Sequence, residues 1–353
     1  MYKKIQLFGL TLSELHCICK DMRLPSFTAR QLCDWLYKKR ITSIDEMTNL
    51  SLKSRVLLQE HCELGLSNPI KVQQSQDGTK KYLFSVGEDH TIETVYMPGK
   101  DRHTLCVSSQ VGCRMGCQFC ATGQQGFADN LTAGDILNQV RSIQESEQLT
   151  NIVYMGMGEP FDNTDEVLKS LEILTSDWGY AWSPRRINVS TVGIVPDMVR
   201  FIEQSQCHLA ISLHSPFDYE RQKMMPVQNK YPLKEVFKTL KNYNWSQQRR
   251  LSFEYIMFAG INDTSLHVDA LCKQMKGLFC RINLIKFHDQ PGQEFQACTE
   301  DKMIDFRDKL NDRGIIATIR QSRGEDILAA CGLLATLHNK TVTYDDSTRT
   351  CQS

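Results

Sequence analysis

Three cysteines stand close together in the chain with the spacing CxxxCxxC, at Cys113, Cys117 and Cys120. A [4Fe–4S] cluster usually takes four thiolates, and a structural zinc site also has four ligands. Three thiolates on one loop therefore indicate a cluster with one iron free of protein ligands. Such an iron can bind the amino and carboxylate groups of S-adenosylmethionine, and reductive cleavage of that sulfonium yields a 5′-deoxyadenosyl radical, chemistry that the cofactor supplies.

A zinc site is the alternative interpretation of these cysteines. A distant histidine such as His103 could complete a zinc knuckle, and the chain would then be a zinc-stabilised RNA-binding module. The interleaved glycines and Phe119, directly before the third cysteine, favour the cluster. Metal analysis separates the two hypotheses. Iron with sulfide would indicate a cluster that cleaves S-adenosylmethionine, and zinc alone would indicate the RNA-binding module.

Length and composition restrict the class of protein. The 353 residues carry no net charge, so any RNA contact must come from local basic patches. We find no signal peptide and no apolar stretch of the ~20 residues that a membrane span needs. The 14 cysteines therefore predict reduced thiols rather than a disulfide framework. We expect a cytoplasmic, soluble monomer with no membrane contact.

The chain begins with helical patterns and then changes to strands. Residues 1–65 are predicted to form a helical accessory domain, with helices over 11–21 and 26–39. The basic run 38–40 lies near Trp35 and Tyr37, and either contacts an RNA backbone or is a solvated helix end. Residues 66–103 are predicted to form a β connector containing a hairpin at Asp77-Gly78.

From residue 104 to 340 strands and helices alternate, and 341–353 is predicted to be a polar tail. Six βα units and a last strand predict an α/β fold with a mostly parallel, barrel-like sheet. The predicted strands cover 104–109, 151–155, 186–191, 207–213, 252–258, 281–287 and 315–320. Chemistry in such sheets gathers at the carboxyl ends of the strands, and the cysteine loop follows the first strand.

Other polar groups fall at the ends of the following strands. Gly158 and Glu159 close the second strand, where a glycine lets a ligand approach the backbone and the carboxylate can accept from an ammonium group. Ser190 ends the third strand, and Ser212, Leu213 and His214 end the fourth. Each alone is more often structural, but their repeated placement at strand ends favours cofactor binding.

The chain resembles the radical S-adenosylmethionine RNA methyltransferases that methylate carbon 2 of adenosine in 23S ribosomal RNA and in transfer RNA. The resemblance runs from about residue 10 to 335 and is most specific where Cys106–Cys113 reads CVSSQVGC and Ala329–Gly332 reads AACG. The matching stretches are 104–113, 119–127, 155–160, 183–186, 210–215 and 323–332. It implies a partial (β/α)6 radical SAM barrel.

The resemblance also implies residue roles. Cys113, Cys117 and Cys120 would ligate the cluster. Cys331 would carry a methyl group to adenine, Cys106 would release the product by forming a transient disulfide, and Glu93 would be the base. The groups implied to contact S-adenosylmethionine are Gly158, Glu159, Ser190, Ser212, Leu213, His214 and His288; many relatives have Asn in place of His288.

The implied reaction uses two molecules of S-adenosylmethionine per turnover and an external flavodoxin- or ferredoxin-type electron donor. Carbon 2 of adenine lies between two ring nitrogens and is electron-poor, so it cannot attack a sulfonium methyl group as an amine would. The implied substrates are an adenosine of the peptidyl transferase centre and the adenosine 3′ to the anticodon. A sister class methylates carbon 8 and confers antibiotic resistance; residues 124–127 and 323–326 favour carbon 2.

Overall fold

A computed structural model describes residues 4–289 and 294–335 of the chain. The strands are β1 Ile5–Gln6, β2 Cys62–Glu63, β3 Lys71–Gln74, β4 Lys80–Val86, β5 His90–Met97, β6 Thr104–Val107, β7 Gln110–Gly112, β8 Phe127–Asn130, β9 Asn151–Tyr154, β10 Ile187–Thr191, β11 His208–Ser212, β12 Leu251–Met257, β13 Cys280–Lys286 and β14 Ile316–Arg320. The centre of the structure is one ten-stranded mixed sheet in the order β14-β13-β12-β11-β10-β9-β6-β5-β4-β3. Two small sheets pair β1 with β2 and β7 with β8.

The seven strands from β6 to β14 in the large sheet are all parallel, as the alternating pattern predicted. Each crossover passes through at least one helix, so both faces of the sheet can bury apolar side chains. Strand β12 is buried along its whole length. The predicted α/β barrel is confirmed.

The helices lie mainly in these crossovers. Helix α5, Ala133–Arg141, begins at a capping box, since Thr132 Oγ1 accepts from Asp135 N at 3.1 Å and Asp135 Oδ2 accepts from Thr132 N at 3.0 Å. The helices are α1 Leu12–Asp21, α2 Thr28–Cys33, α3 Leu52–His61, α4 Ala121–Gln125, α5 Ala133–Arg141, α6 Thr164–Thr175, α7 Val195–Gln204, α8 Asp218–Met224, α9 Leu233–Leu240, α10 Ser265–Met275 and α11 Glu300–Asp312. Among the described residues no helix is both long and apolar enough to pass through a membrane.

The amino-terminal helices differ from the prediction in one respect. The helix predicted over 26–39 is α2 followed by a π-helical turn at Asp34–Lys38. Trp35 and Tyr37 are buried there and cannot stack on RNA bases. The Arg40 guanidinium donates to Arg141 O at 2.8 Å and so holds this region against α5. Of the basic run, only the lysines at 38 and 39 remain half-exposed.

Strands β3, β4 and β5 lie within residues 66–103, the range predicted to be a β connector. They pair antiparallel with one another, and β5 pairs antiparallel with β6. The connector therefore extends the barrel sheet, and Glu93 on β5 comes close to the first barrel strand. The predicted polar tail, 341–353, lies outside the described residues.

Candidate active site

The cysteine loop is held between two strands and helix α4. Gly112 has φ +75°, and a Cβ there would lie 1.9 Å from Gly126 O, so β7 and the end of α4 touch only because residue 112 is glycine. Cys113 N donates to that same Gly126 oxygen at 2.9 Å. This bond and the close approach of Gly112 hold the start of the cysteine loop against the end of α4.

The three cysteines line one cavity of about 150 Å³ together with Gly158, Glu159 and other strand-end residues. Burial raises the pKa of the Cys113 thiol to about 12 and also raises the pKa values of the Cys117 and Cys120 thiols. Thiolates at this depth need the compensating positive charge of bound iron. The donor set therefore fits a [4Fe–4S] cluster held by three thiolates.

The three thiols differ from the ligand set of a single metal ion. Over residues 4–289 and 294–335, no group of three or more His, Cys, Asp or Glu side chains is arranged to hold a single metal ion. A cube of four irons and four sulfides is a larger body than one ion, so thiolates that hold three of its corners stand further apart than the ligands of a zinc ion.

Glu159 is fixed beside the cysteines by backbone donors. Its Oε2 accepts from Val192 N at 2.9 Å and its Oε1 from Phe161 N at 3.0 Å. Burial raises its pKa to about 7, although these bonds and the Thr191 hydroxyl act in the opposite direction. An ammonium group next to Glu159 would restore the negative charge, which fits the amino group of S-adenosylmethionine.

Gly158 lets this turn pack against the strand before the cysteines. It has φ +97°, and a Cβ at this position would lie 2.5 Å from Gln110 Cβ. Gln110 Oε1 also accepts from Glu159 N at 2.9 Å. The glycine predicted from sequence is thus required by both its backbone conformation and its neighbour.

Ser190, Ser212 and His214 line the same cavity, whereas Leu213 does not. His214 is buried with φ +57°, and its Nδ1 accepts from Ile256 N at 3.0 Å. Burial lowers its pKa to about 3, so the ring is neutral and its Nε2 carries the proton. Leu213 donates from N to Glu254 O at 3.0 Å and accepts from Ser215 N at 2.8 Å, so its main-chain groups bind the protein itself.

Arg221 is a structural residue that the sequence analysis missed. Its guanidinium is fully buried and donates to Val192 O at 2.6 Å, Ser212 O at 3.1 Å and Leu213 O at 3.2 Å. It thereby ties the ends of β10 and β11 together beneath the cavity. A charged residue in helix α8 gives no sign of this role in the sequence, because its acceptors are carbonyl groups at the ends of two neighbouring strands, which only the fold brings together.

Cys106 and Cys331 lie near the beginning and the end of the 104–340 sequence, and the fold brings them together. Both line a second cavity, together with Arg320, and Cys331 also lines the cavity of the three cysteines. Burial raises the pKa of Cys106 to about 12; the nearby Cys331 acts in the same direction, and the Arg320 guanidinium opposes them. Both thiols are free in the structure, so it contains no Cys106–Cys331 disulfide.

The segment that carries Cys331 is attached to the cysteine loop and to Glu93. Gly332 O accepts from Ala121 N at 2.8 Å, which fixes the segment to the start of α4. Glu93 Oε2 accepts from Ala335 N at 3.1 Å, and Glu93 Oε1 lies 2.9 Å from Lys81 Nζ. The structure therefore gathers Glu93, Cys106 and Cys331 around one segment, although Glu93 lines neither cavity.

His288 lies apart from the predicted S-adenosylmethionine groups. It lines the cavity of Cys106 and Cys331, and its Nε2 is 2.8 Å from Ser322 Oγ. Its role in cofactor binding stays a prediction.

The parallel barrel, the three-cysteine loop and the glycine-rich turn together define a radical S-adenosylmethionine enzyme. Residues 107–270 match the model of the radical SAM superfamily, and residues 5–64 match that of the ribosomal RNA large subunit methyltransferase N-terminal domain. The chain belongs to the RlmN family of radical SAM RNA methyltransferases and, as members of this family do, uses a [4Fe–4S] cluster and S-adenosylmethionine.

Similarity to known proteins extends over nearly the whole chain. It is 55% identical to the probable dual-specificity RNA methyltransferase RlmN of Bacteroides fragilis, over 94% of this chain and 97% of that protein. It is 40% identical to the RlmN of Desulfotalea psychrophila, over 95% and 96% of the two chains. A crystal structure of a radical SAM methyltransferase from Sphaerobacter thermophilus superposes with a TM-score of 0.87 at 39% identity, covering 94% of this chain and 99% of the other.

Proposed function

We propose that this enzyme methylates carbon 2 of an adenosine in the peptidyl transferase centre of 23S ribosomal RNA and of the adenosine 3′ to the anticodon in transfer RNA. The observation that carries the proposal is the placement of Cys331 in the same cavity as the three cluster cysteines, with Cys106 beside it. A polar methyltransferase has no need of either thiol. The dual substrate is supported by the names of the relatives.

The proposed roles follow from the contacts of each side chain. When bound, the cluster and S-adenosylmethionine supply a strong hydrogen-abstracting radical. Cys331, exposed at the cavity, accepts a methyl group and later bonds through that carbon to carbon 2 of the adenine. Glu93 takes the proton from carbon 2 while the adduct gives up its unpaired electron to a one-electron acceptor, for which the oxidised cluster would serve. The Cys106 thiolate then attacks the Cys331 sulfur and the carbon–sulfur bond breaks. The freed carbon takes a proton to become the methyl group, and a disulfide remains for an external reductant.

Supporting roles are proposed for the residues around the cavity. Glu159, Ser190, Ser212 and His214 bind S-adenosylmethionine, and two molecules of it are used per turnover. We propose that the enzyme acts as a monomer, that a flavodoxin- or ferredoxin-type protein supplies electrons, and that the amino-terminal domain, 1–65, contacts RNA.

Nucleoside analysis tests the proposal. The reconstituted enzyme is incubated with a dithionite-type reductant, RNA transcripts and S-adenosylmethionine whose methyl group carries three deuterium atoms. We expect 2-methyladenosine, identified by its chromatographic retention, with two deuterium atoms retained because one is abstracted before transfer. Retention of all three would indicate polar transfer, and 8-methyladenosine would assign the sister reaction instead. Cys331→Ala is the negative control.

A further inference from the structure

Five arginines gather at the amino-terminal ends of the barrel strands, and we call this group the basic mouth. Its members immediately precede or open strands β6, β10, β12 and β13, so the basic mouth lies at the end of the barrel opposite the cysteine loop. Together they line a cavity of about 270 Å³. The basic mouth consists of Arg102, Arg185, Arg186, Arg250 and Arg281.

The charges of the basic mouth have no negative partner among the described residues. No carboxylate forms an ion pair with any of the five arginines in that part of the chain; the one carboxylate that lines the cavity, Glu254, pairs with Arg320 at 3.3 Å. Burial, and then Arg250, Arg281 and the other arginines, lower the pKa of His208 at the centre of the basic mouth to about 4. Cations gathered in this way repel one another, and a bound anion would remove that repulsion.

An unpaired acceptor lies further inside the barrel. Asn188, on β10, lines the cavity of the basic mouth, and its Oδ1 is buried with no hydrogen-bond donor among the described residues. A buried acceptor without a partner is energetically unfavourable. A ligand that brings a donor, such as the exocyclic amino group of adenine, would satisfy it, and amide side chains commonly bind that edge.

The cavity of the basic mouth adjoins the cavity of the cluster cysteines. Both are lined by Met155, Glu254 and Arg320, and the cavity of the cluster cysteines is also lined by Cys331. The basic mouth and the Cys331 thiol therefore lie on two sides of the same three side chains inside the barrel.

We propose that the basic mouth binds the phosphodiester backbone of single-stranded RNA on both sides of the target nucleotide, whose base enters the barrel past Asn188. This inference rests on the proposed RNA substrate. Arginine binds phosphate oxygens in a bidentate manner, and a base must leave its stack to reach an enclosed site. An acidic electron donor is a poorer match, because it must approach the cluster, which lies at the other end of the barrel.

The test compares two double variants that remove equal charge. Arg102→Gln/Arg281→Gln alters the basic mouth, whereas Arg307→Gln/Arg313→Gln alters arginines on and just after α11 that pair with Asp308 and Asp269. Binding of an RNA hairpin with a single-stranded adenosine in its loop is measured at several KCl concentrations. The basic-mouth variant should weaken binding about tenfold per arginine and reduce the slope of log affinity against log salt by about 1.4; the control pair should change neither.

Thermal unfolding shows whether a loss of binding comes from misfolding. Removing two mutually repelling arginines should leave the Tm of the basic-mouth variant at or above that of the wild type. An unchanged salt slope, or an equal loss in the control pair, overturns the inference. So does normal RNA binding combined with slower cluster reduction by a flavodoxin-type donor, which would assign the basic mouth to a protein. Failure of the wild type to make 2-methyladenosine would instead reject the proposed function.

Discussion

Lys81 and Glu93 form a buried ion pair, with Lys81 Nζ 2.9 Å from Glu93 Oε1 and only 9% and 4% of their side chains exposed. They occupy adjacent antiparallel strands, β4 and β5. Both also hold the segment around Cys331, since Lys81 Nζ donates to Leu328 O at 3.4 Å and Glu93 accepts from Ala335 N. The proposed base is thus supplied with a counter-charge and attached to the segment that carries Cys331, the thiol proposed to bond to the substrate.

Replacing Lys81 should be strongly destabilising. Lys81→Met leaves the Glu93 carboxylate buried without a cation, which costs about 3–5 kcal/mol of unfolding free energy. Lys71→Met, at an exposed site on neighbouring β3, should change it by less than ~0.5 kcal/mol. Urea unfolding of both variants measures the difference. Equal stabilities would mean that the ion pair contributes nothing to the fold.

Each of the three cluster cysteines should be indispensable for iron binding. Cys113→Ala, Cys117→Ala and Cys120→Ala should each lose the roughly four irons per chain that a [4Fe–4S] cluster brings. Cys207→Ala removes a buried thiol just before β11, outside the cavity, and should keep the iron. Iron and sulfide are determined after anaerobic reconstitution. Full iron content in any of the first three variants would reject the assignment.

The two-thiol mechanism predicts where each variant stops. Cys106→Ala should accumulate RNA covalently attached to Cys331, because no thiol releases it. Glu93→Ala should accumulate the same adduct, because the carbon 2 proton has no base. Cys331→Ala should form no adduct and transfer no methyl group. Denaturing gels, nuclease treatment and peptide mass spectrometry reveal the nucleotide on the Cys331 peptide. Methylated adenosine made by Cys331→Ala would refute the scheme.

The turn beside Glu159 should not tolerate a side chain at residue 158. Gly158→Ala places a Cβ 2.5 Å from Gln110 Cβ, and should weaken S-adenosylmethionine binding at least tenfold while lowering stability by several kcal/mol. Gly277→Ala has a similar φ, +82°, but open space around it, so it should cost only the ~1–2 kcal/mol of the left-handed conformation. Isothermal titration and unfolding curves of both variants test this. A comparable loss of binding in the two would show that the contact with Gln110 is unimportant.

Stability should depend on pH through His208. Burial, and then the neighbouring arginines, lower its folded pKa from 6.5 to about 4, so the unfolded chain binds a proton between these values while the folded chain does not. His208 therefore contributes stability above pH 6.5 that is lost as the pH falls toward 4, by at most about 3 kcal/mol. The unfolding free energy of the wild type minus that of His208→Gln should decrease by that amount as the pH falls from 6.5 to 4. A constant difference would contradict the prediction.

The sequence by itself determined the class of fold, and it also predicted the cluster ligands. The three cysteines are neighbours in the chain, so their convergence needs only a short loop, and the alternation of strands and helices predicted the parallel barrel. Capping at Thr132 and Asp135 was likewise predictable because the residues lie within one turn.

Only the tertiary structure decided which distant groups meet. Cys106 and Cys331 are far apart in the chain, and their shared cavity depends on how the last segment packs against β5 and α4. Arg221 could not be predicted, because its acceptors are carbonyl groups of two other strands. The arginines of the basic mouth are scattered in a chain with no net charge; they become one cluster because parallel strands all begin at the same end of the barrel.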